Sequence, residues 1–299
     1  MRFAAAVTFV LFTASVVCAQ SDLAYSQVSD IDYGTGGGRP LLMDVFLPKQ
    51  PIQRPTPAVL WIHGGGWERG DKGGNSGAKL LASHGFATAA LTYRLSGQAR
   101  FPAAIEDCKC AIRFLRANAA KYGIDSERIG VAGASAGGHL ALLVGTADER
   151  AGLEGSGGWP GVSSRVSAVV SWYGPTDFTV GEKAFERGTG RAPAKFLGGT
   201  WPEKPDAYRQ ASPISYVSAT APPILLIHGD QDQIVPFSQA ERMLAVYRKA
   251  GRKVELIRVA GAGHDFVPVS DKPPSVSRQE IEERTVSFLK KHLREGQQK

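Results

Sequence analysis

The chain has 299 residues, 43% hydrophobic and 21% charged, which is enough apolar material for one large interior. Its formal net charge of +7 comes from scattered Lys and Arg with no long cationic run, a pattern that excludes dedicated nucleic-acid recognition and fits solubility with weak attraction to anionic surfaces. Three cysteines are too few for a disulfide-stapled scaffold, so the core must hold the fold.

Residues 1–19 have the pattern of an export signal. Arg2 supplies the positive start, residues 3–17 are apolar, and Val17, Cys18 and Ala19 fit a small-residue cleavage site. The apolar run falls short of the roughly 20 residues that span a bilayer comfortably. Ser15, Val16 and Val17 make a poor lipobox before Cys18. Export to the periplasm or medium is expected, with no stable membrane insertion after cleavage. Loss of Arg2 then leaves a formal charge of +6.

Residues 23–33 and 41–47 read as strands, joined through the glycine-rich turn 34–38 into an opening hairpin. A Pro-rich connector, 48–57, leads to a continuous apolar run at 58–62, suited to a strand buried on both faces. Residues 75–84 read as a helix and 86–93 as the next buried strand. Over 103–121, Ile105, Cys108, Ile112 and Leu115 share one helical stripe, and Gly123 ends it. Cys108 and Cys110, two apart on that helix, project in different directions. They are expected as packing or surface residues rather than as a disulfide, and no nearby His or Cys completes a metal site around them.

Strand, tight turn and helix follow over 128–146, then a strand at 166–172. Residues 178–219, irregular and rich in Gly, Pro, Trp, Lys and Arg, read as an insertion with short helices that caps the site. A strand at 223–228, a helix at 237–250, a strand at 254–259 and a closing helix at 278–293 complete the chain. This alternation implies a single α/β domain over 20–299, with a mostly parallel sheet covered on both faces. Ligands on such sheets bind beyond the carboxyl ends of the strands.

Four motifs fall at those ends. Gly133, Ser135 and Gly137 form Gly-x-Ser-x-Gly between a strand and a helix, where a tight turn exposes the hydroxyl and the helix start offers free N–H groups. His63, Gly64, Gly65, Gly66 and Trp67 follow the 58–62 run, and no Gly-Lys-Ser/Thr follows to make a phosphate loop. The N–H groups of Gly65 and Gly66, with that of Ala136, are candidate donors to an oxyanion. Asp230 and Asp232 follow the 223–228 strand. Asp232 is the candidate acid and Asp230 the turn former. His264 lies in a glycine loop after the last strand, free to reach a serine whose hydroxyl needs a base. His63 and His228 read as loop braces beside glycines.

The order Ser135, Asp232, His264 is that of the α/β-hydrolases. The chain resembles α/β-hydrolase esterases carrying an HGGGW oxyanion motif, as in hormone-sensitive-lipase-like carboxylesterases. It resembles more closely the bacterial feruloyl- or acetylxylan-esterase-like group. The likeness is carried by residues 63–72, 101–107 and 133–139 and runs from about Ile31 to the end. Ala134 stands where the hormone-sensitive-lipase branch usually has an acidic residue, which favours the second group. The resemblance implies a serine esterase that needs no metal or cofactor and acts on a small-molecule or polysaccharide-linked ester. Its rate should fall on the acid side as the histidine base protonates.

Trp67, Trp172 and Tyr173, at strand ends, are candidate cleft walls for a phenolic acyl group or a sugar. Acetyl or feruloyl esters of plant polysaccharide are the favoured substrates. A general short-chain carboxylesterase, a peptidase of the same fold and a non-catalytic hydrolase relative remain as alternatives.

Overall fold

The computed structural model describes residues 23–180 and 191–294. The expected export signal and residues 181–190 of the expected cap lie outside the described residues.

The 58–62 apolar run lies within β3 (Thr56–Ile62), a strand buried along its whole length. Ala58, Leu60 and Ile62 join one core cluster and Val59 and Trp61 the other, so the period of two feeds both faces of the sheet. β3 runs parallel to β4 (Ala87–Leu91) on one side and to β5 (Ile124–Ala134) on the other. Beyond β5 come β6 (Ala168–Trp172), β7 (Ile224–Gly229) and β8 (Val254–Val259), all parallel. The antiparallel hairpin β1 (Tyr25–Gly36) and β2 (Arg39–Pro48) closes the other edge, with β2 antiparallel to β4. The order across the eight strands is β1-β2-β4-β3-β5-β6-β7-β8.

Helices cover both faces. α1 (Ser76–Ser83) and α8 (Arg278–Arg294) pack Leu81, Ile281 and Leu289 into one cluster. α2 (Ala103–Ala117), α4 (Ala136–Thr146) and α7 (Ser238–Lys249) pack Ile112, Leu140 and Met243 into the other. The helix expected over 103–121 breaks at Asn118. Its side-chain Nδ2 donates to the Phe114 carbonyl at 2.9 Å and competes with the backbone, and α3 (Ala119–Tyr122) restarts beyond it. Cys108 and Cys110 are both free and buried in α2, where burial raises their thiol pKa values. Within 178–219 the described residues form α5 (Ala192–Leu197), α6 (Pro205–Gln210) and a 3-10 turn at Pro213–Tyr216. No helix among the described residues is long and apolar enough to cross a membrane.

Candidate active site

The turn from β5 into α4 places Ser135 at φ 54° and ψ −121°, a conformation a β-carbon resists. It survives because its surroundings are tight. The Ser135 N–H donates to the Trp172 carbonyl at 2.9 Å. At the second helical residue, a β-carbon on Gly137 would lie 2.0 Å from the Ile62 carbonyl oxygen, so only glycine lets α4 start this close to β3. Ala136 is the first helical residue, and its N–H has no intrahelical acceptor.

Beside this turn runs the loop after β3. Gly65 has φ 106° and Gly66 φ 62°, and a β-carbon on Gly65 would come within 2.2 Å of the Arg69 carbonyl oxygen. Gly65 gives its own carbonyl to the N–H groups of Glu68 and Arg69 at 3.1 and 3.2 Å. Among the described residues, no acceptor takes the N–H of Gly65 or Gly66.

Asp232 sits just past β7. Its Oδ1 accepts the N–H groups of Ile234 and Val235 at 2.8 and 2.9 Å, and its Oδ2 accepts His264 Nδ1–H at 2.7 Å. Burial alone would raise this carboxyl's pKa. Hydrogen bonds from the His228 and His264 rings and from the Val235 N–H outweigh burial and hold the pKa well below the usual range. His264, in the loop after β8, presents Nε2 to Ser135 Oγ at 3.0 Å. With Nδ1–H committed to the carboxylate, Nε2 carries the lone pair and accepts the serine O–H. Serine, imidazole and carboxylate thus form one hydrogen-bonded line.

The neighbouring Asp230 has other partners. Its Oδ2 pairs with Arg258 at 2.8 Å and its Oδ1 takes the Gly261 N–H at 2.9 Å, which ties the β7 and β8 loops together. His228 donates Nε2–H to the Val235 carbonyl at 2.8 Å and lies 3.4 Å from Asp232 Oδ2, so it braces the turn that carries Asp232.

A cavity of 650 Å³ opens over Ser135 and His264, with Gly65, Gly66, Tyr173 and Ile234 in its wall. Tyr173 packs its ring edge-on to His264 at 4.6 Å, and its hydroxyl donates to Asp265 Oδ1 at 2.7 Å. Burial, then that carboxylate, pushes the phenol pKa far up. Glu68, Arg69, Arg191 and Lys195, which the sequence motifs did not single out as site residues, make a charged rim.

Two expected wall residues are elsewhere. Trp172 is 2% exposed, crosses Trp61 at 5.2 Å and donates Nε1–H to Thr285 Oγ1 on α8. Its position in the β6 alternation sends the indole to the α8 face. Trp67 is 4% exposed. Its φ of 59° turns the indole beneath the glycine loop, where it stacks on Phe196 at 4.7 Å and donates Nε1–H to His139 Nδ1 at 3.2 Å. His139 Nε2–H in turn donates to the Ala211 carbonyl at 2.7 Å, and burial pushes its pKa down to about 4. Trp67 therefore anchors the loop to α4 and to the 178–219 segment instead of lining the cleft. No group of three or more His, Cys, Asp or Glu among the described residues gathers as a metal site.

A mostly parallel eight-stranded sheet, with a serine on the strand-to-helix turn at its centre, defines the α/β-hydrolase fold. Within that class the chain belongs to the BD-FAE family, whose family model matches residues 43–246. It is similar to Esterase LipC of Mycobacterium tuberculosis, with 37% identity over 75% of this chain and 57% of LipC. The chain spans about three fifths of the length of the curated relatives it matches, LipC and LipQ. Among solved structures, a truncated carbohydrate esterase from gut microbiota is 30% identical, with a TM-score of 0.77 over 92% of this chain and 99% of that one. A bifunctional GH43-CE protein of Bacteroides eggerthii is 33% identical, with a TM-score of 0.76 over 89% of this chain and 38% of that one.

Proposed function

We propose that this chain is an exported serine hydrolase of carboxylic esters, acting on acetyl or feruloyl groups of plant polysaccharide. The observation that carries the reading is the 3.0 Å approach of His264 Nε2 to Ser135 Oγ, with the Asp232 carboxylate behind the ring. In this mechanism His264 takes the Ser135 proton as Oγ attacks the ester carbonyl carbon. Asp232 holds the ring in the required tautomer and steadies the imidazolium. The N–H groups of Gly65, Gly66 and Ala136 receive the oxyanion. His264 then gives its proton to the departing alcohol, and water, activated by the same ring, releases the acid and frees Ser135. No step calls on a metal or cofactor.

Family membership and the names of the related proteins support ester chemistry, and the carbohydrate esterase neighbours support a polysaccharide substrate. Export rests on the pattern of residues 1–19. A general short-chain carboxylesterase is the second reading, favoured by LipC, whose name specifies no acyl group. A fluorophosphonate probe is expected to label Ser135 in the folded protein. Turnover of p-nitrophenyl esters, feruloyl methyl ester and acetylated xylan then ranks the substrates. Absence of label on folded protein would replace the enzyme reading with a binding role. Activity on p-nitrophenyl esters alone would favour the general esterase.

A further inference from the structure

The cavity over Ser135 does not end at its rim. A second cavity, also 650 Å³, shares Glu68, Arg191 and Lys195 with it and continues past Ser96 to Arg100. The shared wall makes one groove from the serine to α5. Its joint volume exceeds what an acetyl or feruloyl group fills, since single drug-sized ligands occupy pockets of about 300–1,000 Å³. The excess length suits an oligomeric carrier of the ester.

The charge along the groove is one-sided. Lys195 pairs with Glu68 at 3.1 Å, and Asp265 is held by the Tyr173 hydroxyl and by Arg278. Arg69, Arg100 and Arg191 are exposed, and among the described residues none of them has a carboxylate within 4.0 Å. Arg100 lies along the edge of Gly198, whose added β-carbon would stand 2.8 Å from its Cδ, so the guanidinium is laid against the groove wall. Three guanidiniums in a concave surface focus a positive potential there. A neutral sugar gains little from them. A carboxylate matches the planar fork of a guanidinium in two parallel hydrogen bonds.

We propose that this groove binds a uronate-bearing stretch of polysaccharide, so that the enzyme prefers ester groups on acidic chains over the same groups on neutral ones. The inference rests on the esterase reading above and extends it to the identity of the carrier. The test compares kcat/KM on an acetylated xylo-oligosaccharide carrying a glucuronate branch with that on a neutral one of equal length and acetylation. At low salt the acidic oligosaccharide is expected to be preferred by about tenfold, and the preference should shrink as salt screens the rim. Combined Arg100→Gln and Arg191→Gln should bring the ratio toward one, chiefly through KM.

A wild-type ratio near one, or a ratio indifferent both to salt and to the double substitution, would overturn the proposal. The salt series on wild-type protein keeps the test decisive if the double variant does not fold. Hydrolysis of p-nitrophenyl acetate runs alongside. Turnover there with a ratio of one rejects the acidic carrier alone, whereas no turnover and no Ser135 labelling rejects the esterase reading beneath it.

Discussion

At the floor of the cavity, Ser135, Gly65 and Gly66 hold positive φ, and added atoms would meet backbone oxygens closer than 2.5 Å at Gly65 and Gly137. At its rim, Arg69, Arg100, Arg191 and Lys195 are exposed side chains on long flexible stems. Floor geometry is set by main chain, so it tolerates almost no substitution. The rim acts through charge at a distance, so it can change without disturbing the attack geometry. Floor substitutions should therefore strike the chemical step, and rim substitutions should strike substrate preference.

The strongest test of that contrast is Ser135→Ala, which removes the proposed nucleophile and is expected to cost about 10⁶-fold in kcat. Residual turnover within tenfold of wild type would place the nucleophile elsewhere. Next come the two aspartates of one loop. Asp232→Asn should cost about 10⁴-fold in kcat by leaving His264 in the wrong tautomer. Asp230→Asn should leave kcat within a few-fold and instead loosen the β7–β8 loops that its contacts with Arg258 and Gly261 join. Kinetics and melting curves on both variants separate the roles, and a reversal of the two results would reassign the acid.

Gly65→Ala, with its β-carbon 2.2 Å from a carbonyl oxygen, must displace the donor loop and should lower kcat about 10²- to 10³-fold. Near-normal turnover would show that the Gly65 N–H donates nothing in the transition state. The smallest effect lies beneath the floor, at His139. Its pKa is about 4 when folded and about 6.5 when unfolded, so between those values the unfolded chain binds more protons. Stability is fully present above pH 6.5 and falls as pH drops toward 4, by up to about 3 kcal/mol. Urea titrations should show the stability gap between wild type and His139→Asn narrowing over that window. A constant gap would deny His139 this role.

Much of the sheet was legible because burial on both faces forces unbroken apolar runs, as at Ala58, Val59, Leu60, Trp61 and Ile62. Ser135 and His264 stand 129 positions apart, yet each sits in a glycine-marked loop at a strand end, which is where parallel sheets collect their functional groups. The aromatic walls were less legible. Trp67 and Trp172 follow the same strand-end rule as Tyr173, but their direction depends on a positive φ and on strand parity against α8. Arg69, Arg100, Arg191 and Lys195 follow no spacing at all. The loop packing brings them together, and no local pattern encodes it.

Ile62 and Gly133 are paired across β3 and β5, and Gly137 rests on the Ile62 carbonyl. The proposed nucleophile and candidate anion donors therefore ride on a single two-stranded seam, while imidazole and carboxylate ride on the loops of β7 and β8, with β6 between. Breathing of the sheet preserves the first alignment and stretches the gap across which the proton must jump. Thermal disturbance of this protein should accordingly lengthen the reach from imidazole to hydroxyl before it disturbs the seat of the anion donors.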